Sequence, residues 1–231
     1  MINKEKIANY VKNQNKNLAN HRIGVLDLII KDKMSDDIDI TLVFNKINQV
    51  LPEHILKLID IIYIGKFPFL NEKETNAAYM DGTIYISNVQ DNNDDLLDDV
   101  LHEFSHATED RYGKDIYEDN EVKNEFLLKR SKLEKILEHQ GYDVDHLDFL
   151  NTEYDSSFDS TMYETIGYDV LKILTVDLFL DPYSPTSLRE YFAAGFEEKY
   201  MGNELYLKKI CPYLYNKVTV VHNNYEEKYE F

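Results

Sequence analysis

Between Asp94 and Phe104 the apolar positions Leu97, Val100, Leu101 and Phe104 fall on one helical stripe. That spacing predicts an amphipathic helix. Asp94 and Asp95 stand in its first turn, where the helix dipole favours acids, and Gly113 is the expected stop. Upstream, residues 36–60 predict helix, with Pro52 near a helix start. The run Ile61-Ile62-Tyr63-Ile64-Gly65 predicts a buried strand. Asp81-Gly82 is a turn signal, and the alternating Thr83-Ile84-Tyr85-Ile86-Ser87 after it predicts a second strand. Downstream, residues 119–140 predict a long charged helix ended by Gly141. Residues 161–180 are apolar at helical spacing and predict a core helix. Leu188 to Met201 predicts another, stopped at Gly202. Residues 1–20 are polar and rich in Lys and Asn, a surface helix or a frayed start. Strands early and helices late predict an α+β fold.

At 231 residues the chain fits one domain with a sizeable core. No apolar run approaches the roughly 18 residues of a membrane helix, so no membrane association is expected. Met1 to Lys6 lead into polar sequence, so no signal peptide is expected. The expected location is the cytoplasm that makes the protein, or outside after release by a non-classical route. Cys211 is the single cysteine, which excludes an internal disulfide and a cysteine-based zinc knuckle. The formal net charge of −18 argues against nucleic acid as a partner. It permits attraction to basic peptides.

The chemistry centres on His102-Glu103-Phe104-Ser105-His106. On a helix, positions i and i+4 share a face, so His102 and His106 can hold one metal ion, with Glu103 beside the open coordination position. A catalytic zinc usually has three protein ligands. A continuation HxxGxxH would need Gly at 109 and His at 112, where Glu109 and Tyr112 stand. His21, His54, His139, His146 and His222 lie in polar settings and read as surface residues. Glu190, heading an amphipathic helix with small residues Ala193, Ala194 and Gly195, is the best third ligand. From spacing alone it is equally an acid satisfying the helix dipole.

The segment Leu101 to Ala107 resembles the active-site helix of the anthrax lethal factor-like metallopeptidases, which include the Pro-Pro endopeptidases. Glu190-Tyr191-Phe192-Ala193-Ala194-Gly195-Phe196 is similar to that family's second motif, whose Glu is the third zinc ligand. The family also carries a catalytic tyrosine seven residues before that Glu, matched here by Tyr183. On spacing alone Tyr183 is a turn residue in Asp181-Pro182-Tyr183-Ser184-Pro185. The resemblance covers about residues 60–112 and 180–215. It implies a zincin-like α+β domain with a small twisted sheet, and an edge strand, Thr83 to Ser87, along which substrate lies extended. It also implies one zinc per chain on His102, His106 and Glu190, with Glu103 as general base and Tyr183 as oxyanion donor. The gap between the motifs is longer than the family's, so 114–180 is a candidate helical insertion and 1–35 a candidate accessory segment. Ala194 stands where related peptidases often place an acid that orients a zinc histidine, so that partner is expected elsewhere.

The expected function is a zinc endopeptidase acting on a protein or peptide substrate. The alternative is a zinc-binding protein with weak or no turnover that binds an extended peptide or a partner. A third reading makes the motif accidental and the chain a helical interaction protein.

Overall fold

The computed structural model describes residues 19–72 and 75–223. Most of the N-terminal stretch 1–20 lies outside the described residues. Ala19–Ile23 (β1) and Leu26–Ile30 (β2), within the candidate accessory segment, form two strands of the main sheet. Ile61–Gly65 (β3), Ala77–Met80 (β4) and Thr83–Ser87 (β5) complete it. The order is β1-β2-β3-β5-β4, with parallel pairing of β3 to β2 and β5 and antiparallel hairpins at both ends.

Period-two alternation assigns the two faces of the sheet. Leu26, Leu28, Ile62, Ile64, Ile84 and Ile86 are buried in the main core. The register Ile62↔Ile84 puts the intervening Tyr63 and Tyr85 side by side on the other face. Their rings stack at 5.5 Å beside Phe67 and Leu70.

One expectation is corrected here. Thr83–Ser87 is an internal strand between β3 and β4, and the edge is Ala77–Met80. Asp81 and Gly82 both have positive φ (47° and 77°) and close a two-residue turn with Met80 opposite Thr83. That tight turn forces the preceding Ala-Ala-Tyr-Met segment to pair outside β5.

Ile40–Val50 (α1) contributes Val43, Phe44 and Ile47 to the core, followed by the short Glu53–Leu56 (α2) and Pro68–Glu72 (α3). Asn93–Tyr117 (α4) buries Leu97, Val100, Leu101 and Phe104, as its stripe predicts. Asn92 caps it, accepting from the amides of Asp94 and Asp95. The helix does not stop at Gly113. It runs one turn further, with Ile116 fully buried and the Tyr117 hydroxyl donating to Glu109. A Cβ at Gly113 would meet nothing within 4 Å. Gly113→Ala should therefore stabilise the protein by roughly 0.5–1 kcal/mol, seen as a higher melting temperature.

Glu121–His139 (α5) matches its predicted span. The expected core helix over 161–180 is broken. Ser156–Ser160 (α6) runs into a π-helical turn, Thr161–Ile166, and Gly167 at φ 84° separates it from Tyr168–Leu174 (α7). Met162, Ile166, Leu171 and Phe179 are buried, but Tyr163, Ile173 and Val176 are exposed, and a residue with positive φ such as Gly167 cannot continue a helix. Buried Arg130 of α5 ties this region down. Its guanidinium lies 3.8 Å from the Phe158 ring centroid and donates to the carbonyls of Asp148 and Asn151.

Leu188–Tyr200 (α8), Glu204–Ile210 (α9) and Pro212–Asn223 (α10) finish the described chain. Gly195 of α8 sits against Leu214 of α10, where a Cβ would come within 2.3 Å of a Leu214 methyl. The buried Glu125 carboxylate accepts from the Tyr191 hydroxyl and from the amides of Tyr213 and Leu214, locking α5, α8 and α10 together. Among the described residues no helix is long and apolar enough to cross a membrane.

Candidate metal centre

Helices α4 and α8 pack against each other and bring together residues 88 positions apart. His102 and His106 stand one turn apart on α4, their ring centroids 4.6 Å apart and nearly perpendicular. Ser187 caps α8 by accepting from the Glu190 amide, which aims the Glu190 side chain at α4 from the first turn. His102 Nε2 is 3.2 Å from Glu190 Oε2, and His106 Nε2 is 3.9 Å from Glu190 Oε1. One ligand atom from each of the three lies within 4.8 Å of the others. Glu190 Oε2 is buried and has no hydrogen-bond partner. A buried carboxylate oxygen left in that state is costly unless a cation completes it.

Glu197 supplies the partner that Ala194 does not. Its Oε1 lies 2.6 Å from His102 Nδ1. A carboxylate there accepts a hydrogen bond from Nδ1–H, which would leave the Nε2 lone pair for a metal. Seven residues advance a helix by nearly two full turns, so Glu190 and Glu197 share a face. That spacing was available in the sequence. Glu198 turns away and accepts from the Asn203 amide instead.

At His106 the partner is Arg189, whose Nε donates to Nδ1 at 3.0 Å. A neutral ring accepting there carries its proton on Nε2. A metal held at Nε2 would require the ring proton on Nδ1, and Arg189 would then have to let go. The guanidinium has Glu109 at 3.6 Å and Asp110 at 4.0 Å to turn to.

Electrostatics separate the roles of these groups. Burial disfavours charge on His102, but the neighbouring carboxylates of Glu190 and Glu197 outweigh burial and raise it to about 11. Burial, joined by the charges of His102 and Arg189, lowers His106 to about 2. Glu103 is pushed up to about 7 by burial, against the pull of His102 and of the Tyr79 amide. That amide, on edge strand β4, donates to Glu103 Oε2.

Tyr183 sits in the turn Asp181 to Thr186, its amide and that of Ser184 both held by Asp181 Oδ1. It lines the same groove as His102, Glu103, His106 and Glu190, a cavity of about 900 Å³. Burial, followed by the Glu190 charge, raises its phenol, so it is protonated at neutral pH. The other histidines are elsewhere. His54 and His222 are half-buried, bonded to the Val221 carbonyl and near the Tyr200 hydroxyl, rather than plain surface residues.

Sequence reading missed the tyrosines and Asp159 that line the same groove from residues 154–168. Only the fold brings them there. No family model, curated protein or solved structure matches the chain.

Proposed function

We propose that the chain is a zinc-dependent endopeptidase. The observation that carries this reading is the convergence of His102, His106 and the orphaned Glu190 carboxylate beside buried Glu103, at the floor of a groove bounded by a sheet edge. The donor set of two imidazoles and one carboxylate suits zinc and leaves a coordination position open. When bound, zinc would lower the pKa of a water to about 7 and polarise a carbonyl.

The chain's own residues do the rest. Glu103, with its carboxyl near neutrality, accepts a proton from the attacking water and passes it to the leaving amine. The Tyr79 amide holds that carboxylate in one orientation. The protonated Tyr183 hydroxyl donates to the oxyanion that develops on the scissile carbonyl. Glu197 orients His102.

Cleavage profiling on a diverse peptide library tests the reading. Metal-dependent cuts by the parent, lost on chelation, are expected. A zinc-loaded protein that cuts nothing would overturn it.

Arg189 donates to His106 Nδ1, a contact that opposes the tautomer a metal needs, so zinc loading would have to displace it.

Tyr183→Phe isolates the hydroxyl. Turnover on one cleaved peptide should fall by about 10²–10³ while zinc content and melting temperature stay near the parent's. Substrate binding should change little, because the bond forms mainly in the transition state. Parent-like turnover would leave Tyr183 a turn residue.

A further inference from the structure

The groove has a second wall, which the reaction above does not use. Residues 140–170 carry eight carboxylates and no Lys or Arg. The fold turns part of this stretch into the groove as Tyr154, Asp159, Tyr163 and Tyr168. Asp159 is the hub. Its Oδ2 accepts from the Tyr154 hydroxyl at 2.9 Å and its Oδ1 from the Tyr168 hydroxyl at 3.3 Å. The Tyr163 and Tyr168 rings lie 5.3 Å apart, and Tyr168 meets Tyr183 edge-on at 6.3 Å. A run of aromatic rings therefore leads from solvent, where Tyr163 is 63% exposed, to the oxyanion tyrosine. Arg130 packs beneath it on Phe158, the neighbour of Asp159, and keeps the wall in place.

Asp159 is in no ion pair among the described residues. The one Lys or Arg lining the groove among them, Arg189, is engaged by His106, Glu109 and Asp110. A half-exposed carboxylate set among tyrosine faces attracts a cation twice, by charge and by the negative face of each ring. An aliphatic side chain would satisfy only the rings. An anionic one would meet Asp159 and a wall of like charge.

We propose that the Asp159–tyrosine wall is a subsite for a Lys or Arg side chain of the peptide substrate. The proposal rests on the endopeptidase reading for its cut and on the wall for its selectivity. It makes the 154–168 stretch a specificity element of the reaction.

Two arms test it. In the first, a diverse peptide library is digested by the zinc-loaded parent, Asp159→Asn and Tyr163→Ala, and the cut sites are sequenced. A matched peptide pair, differing only in Arg or Gln at the enriched position, then gives a ratio of kcat/KM. Parent cuts should show Lys or Arg at one fixed distance from the scissile bond. Each variant should lower the Arg-to-Gln ratio by about tenfold, and added salt should lower the parent's ratio.

In the second arm, metal-free parent and Asp159→Asn are titrated with two Trp-containing decapeptides that differ in Arg or Gln at three positions. The chain has no Trp, so the peptide's fluorescence reports alone. The Arg peptide should bind the parent more tightly than the Gln peptide, and Asp159→Asn should erase the difference.

Cuts without basic enrichment, or a ratio that neither variant moves, overturn the subsite and leave the endopeptidase standing. No cuts, with Asp159-dependent binding of the Arg peptide, overturn the endopeptidase and keep the subsite. No cuts and no binding preference overturn both.

Discussion

Glu103→Gln should keep zinc and fold and lower the cleavage rate by about 10²–10⁴, the usual contribution of a positioned general base. The amide oxygen can still accept from the Tyr79 amide, so the side chain keeps its anchor to the edge strand. It cannot take a proton from water. Stability should not suffer, and the sign follows from the carboxyl's position. Burial raises Glu103 from 4.5 to about 7 in the folded protein. A group raised on folding favours the folded state below its unfolded value, and that contribution is lost as pH climbs from about 4.5 to about 7. The neutral amide escapes that loss. The metal-free variant should therefore melt at or above the parent at pH 8. The decisive set is zinc content, melting temperature and turnover on one cleaved peptide. Cleavage within a few-fold of the parent would remove Glu103 from the mechanism.

The second large effect separates three glutamates of one helix. Glu190→Ala should weaken zinc binding most, because it removes the carboxylate that faces both His102 and His106. Glu197→Ala should cost about 10–100-fold, the range for a group that orients a metal-binding histidine through its other nitrogen. Glu198→Ala should leave affinity near the parent's, since Glu198 bonds the Asn203 amide. Competition against a chromogenic chelator would rank them. An order with Glu198 at or above Glu197, or with Glu190 no worse than Glu197, would show that the ligand set is wrong.

These tests concern residues that differ in how visible they were. The helix carrying His102 and His106 was legible because its apolar stripe, first-turn acids and i, i+4 histidines all point the same way. The helix of Glu190 was legible for similar reasons, and its face, extended seven residues, also held Glu197. β3 and β5 showed themselves by β-branched residues, whereas the edge strand Ala-Ala-Tyr-Met carries almost no such signal. The hairpin of β1 and β2 lies past the polar start and had no reading of its own, although Gly24 at φ 61° marks its turn. The break at Gly167 was hidden by an apolar rhythm that burial alone sustains. The groove wall was least legible. Tyr154, Asp159, Tyr163 and Tyr168 have no shared spacing, and they converge only because Arg130 gathers the chain over Phe158.

The anchoring of Glu103 on β4 has an effect at the sheet edge itself. Ser87 donates to the Asn76 carbonyl, so the antiparallel alternation turns the backbone groups of Ala77 and Tyr79 outward. The Thr75 hydroxyl already donates to the Ala77 carbonyl, and the Tyr79 amide already serves Glu103. Among the described residues no hydrogen bond engages the Ala77 amide or the Tyr79 carbonyl, so an extended peptide would find these two groups along this strand. Two backbone bonds contribute together only about 1–3 kcal/mol. The edge would therefore set the direction and register of a bound chain, while discrimination between chains would fall to their side chains.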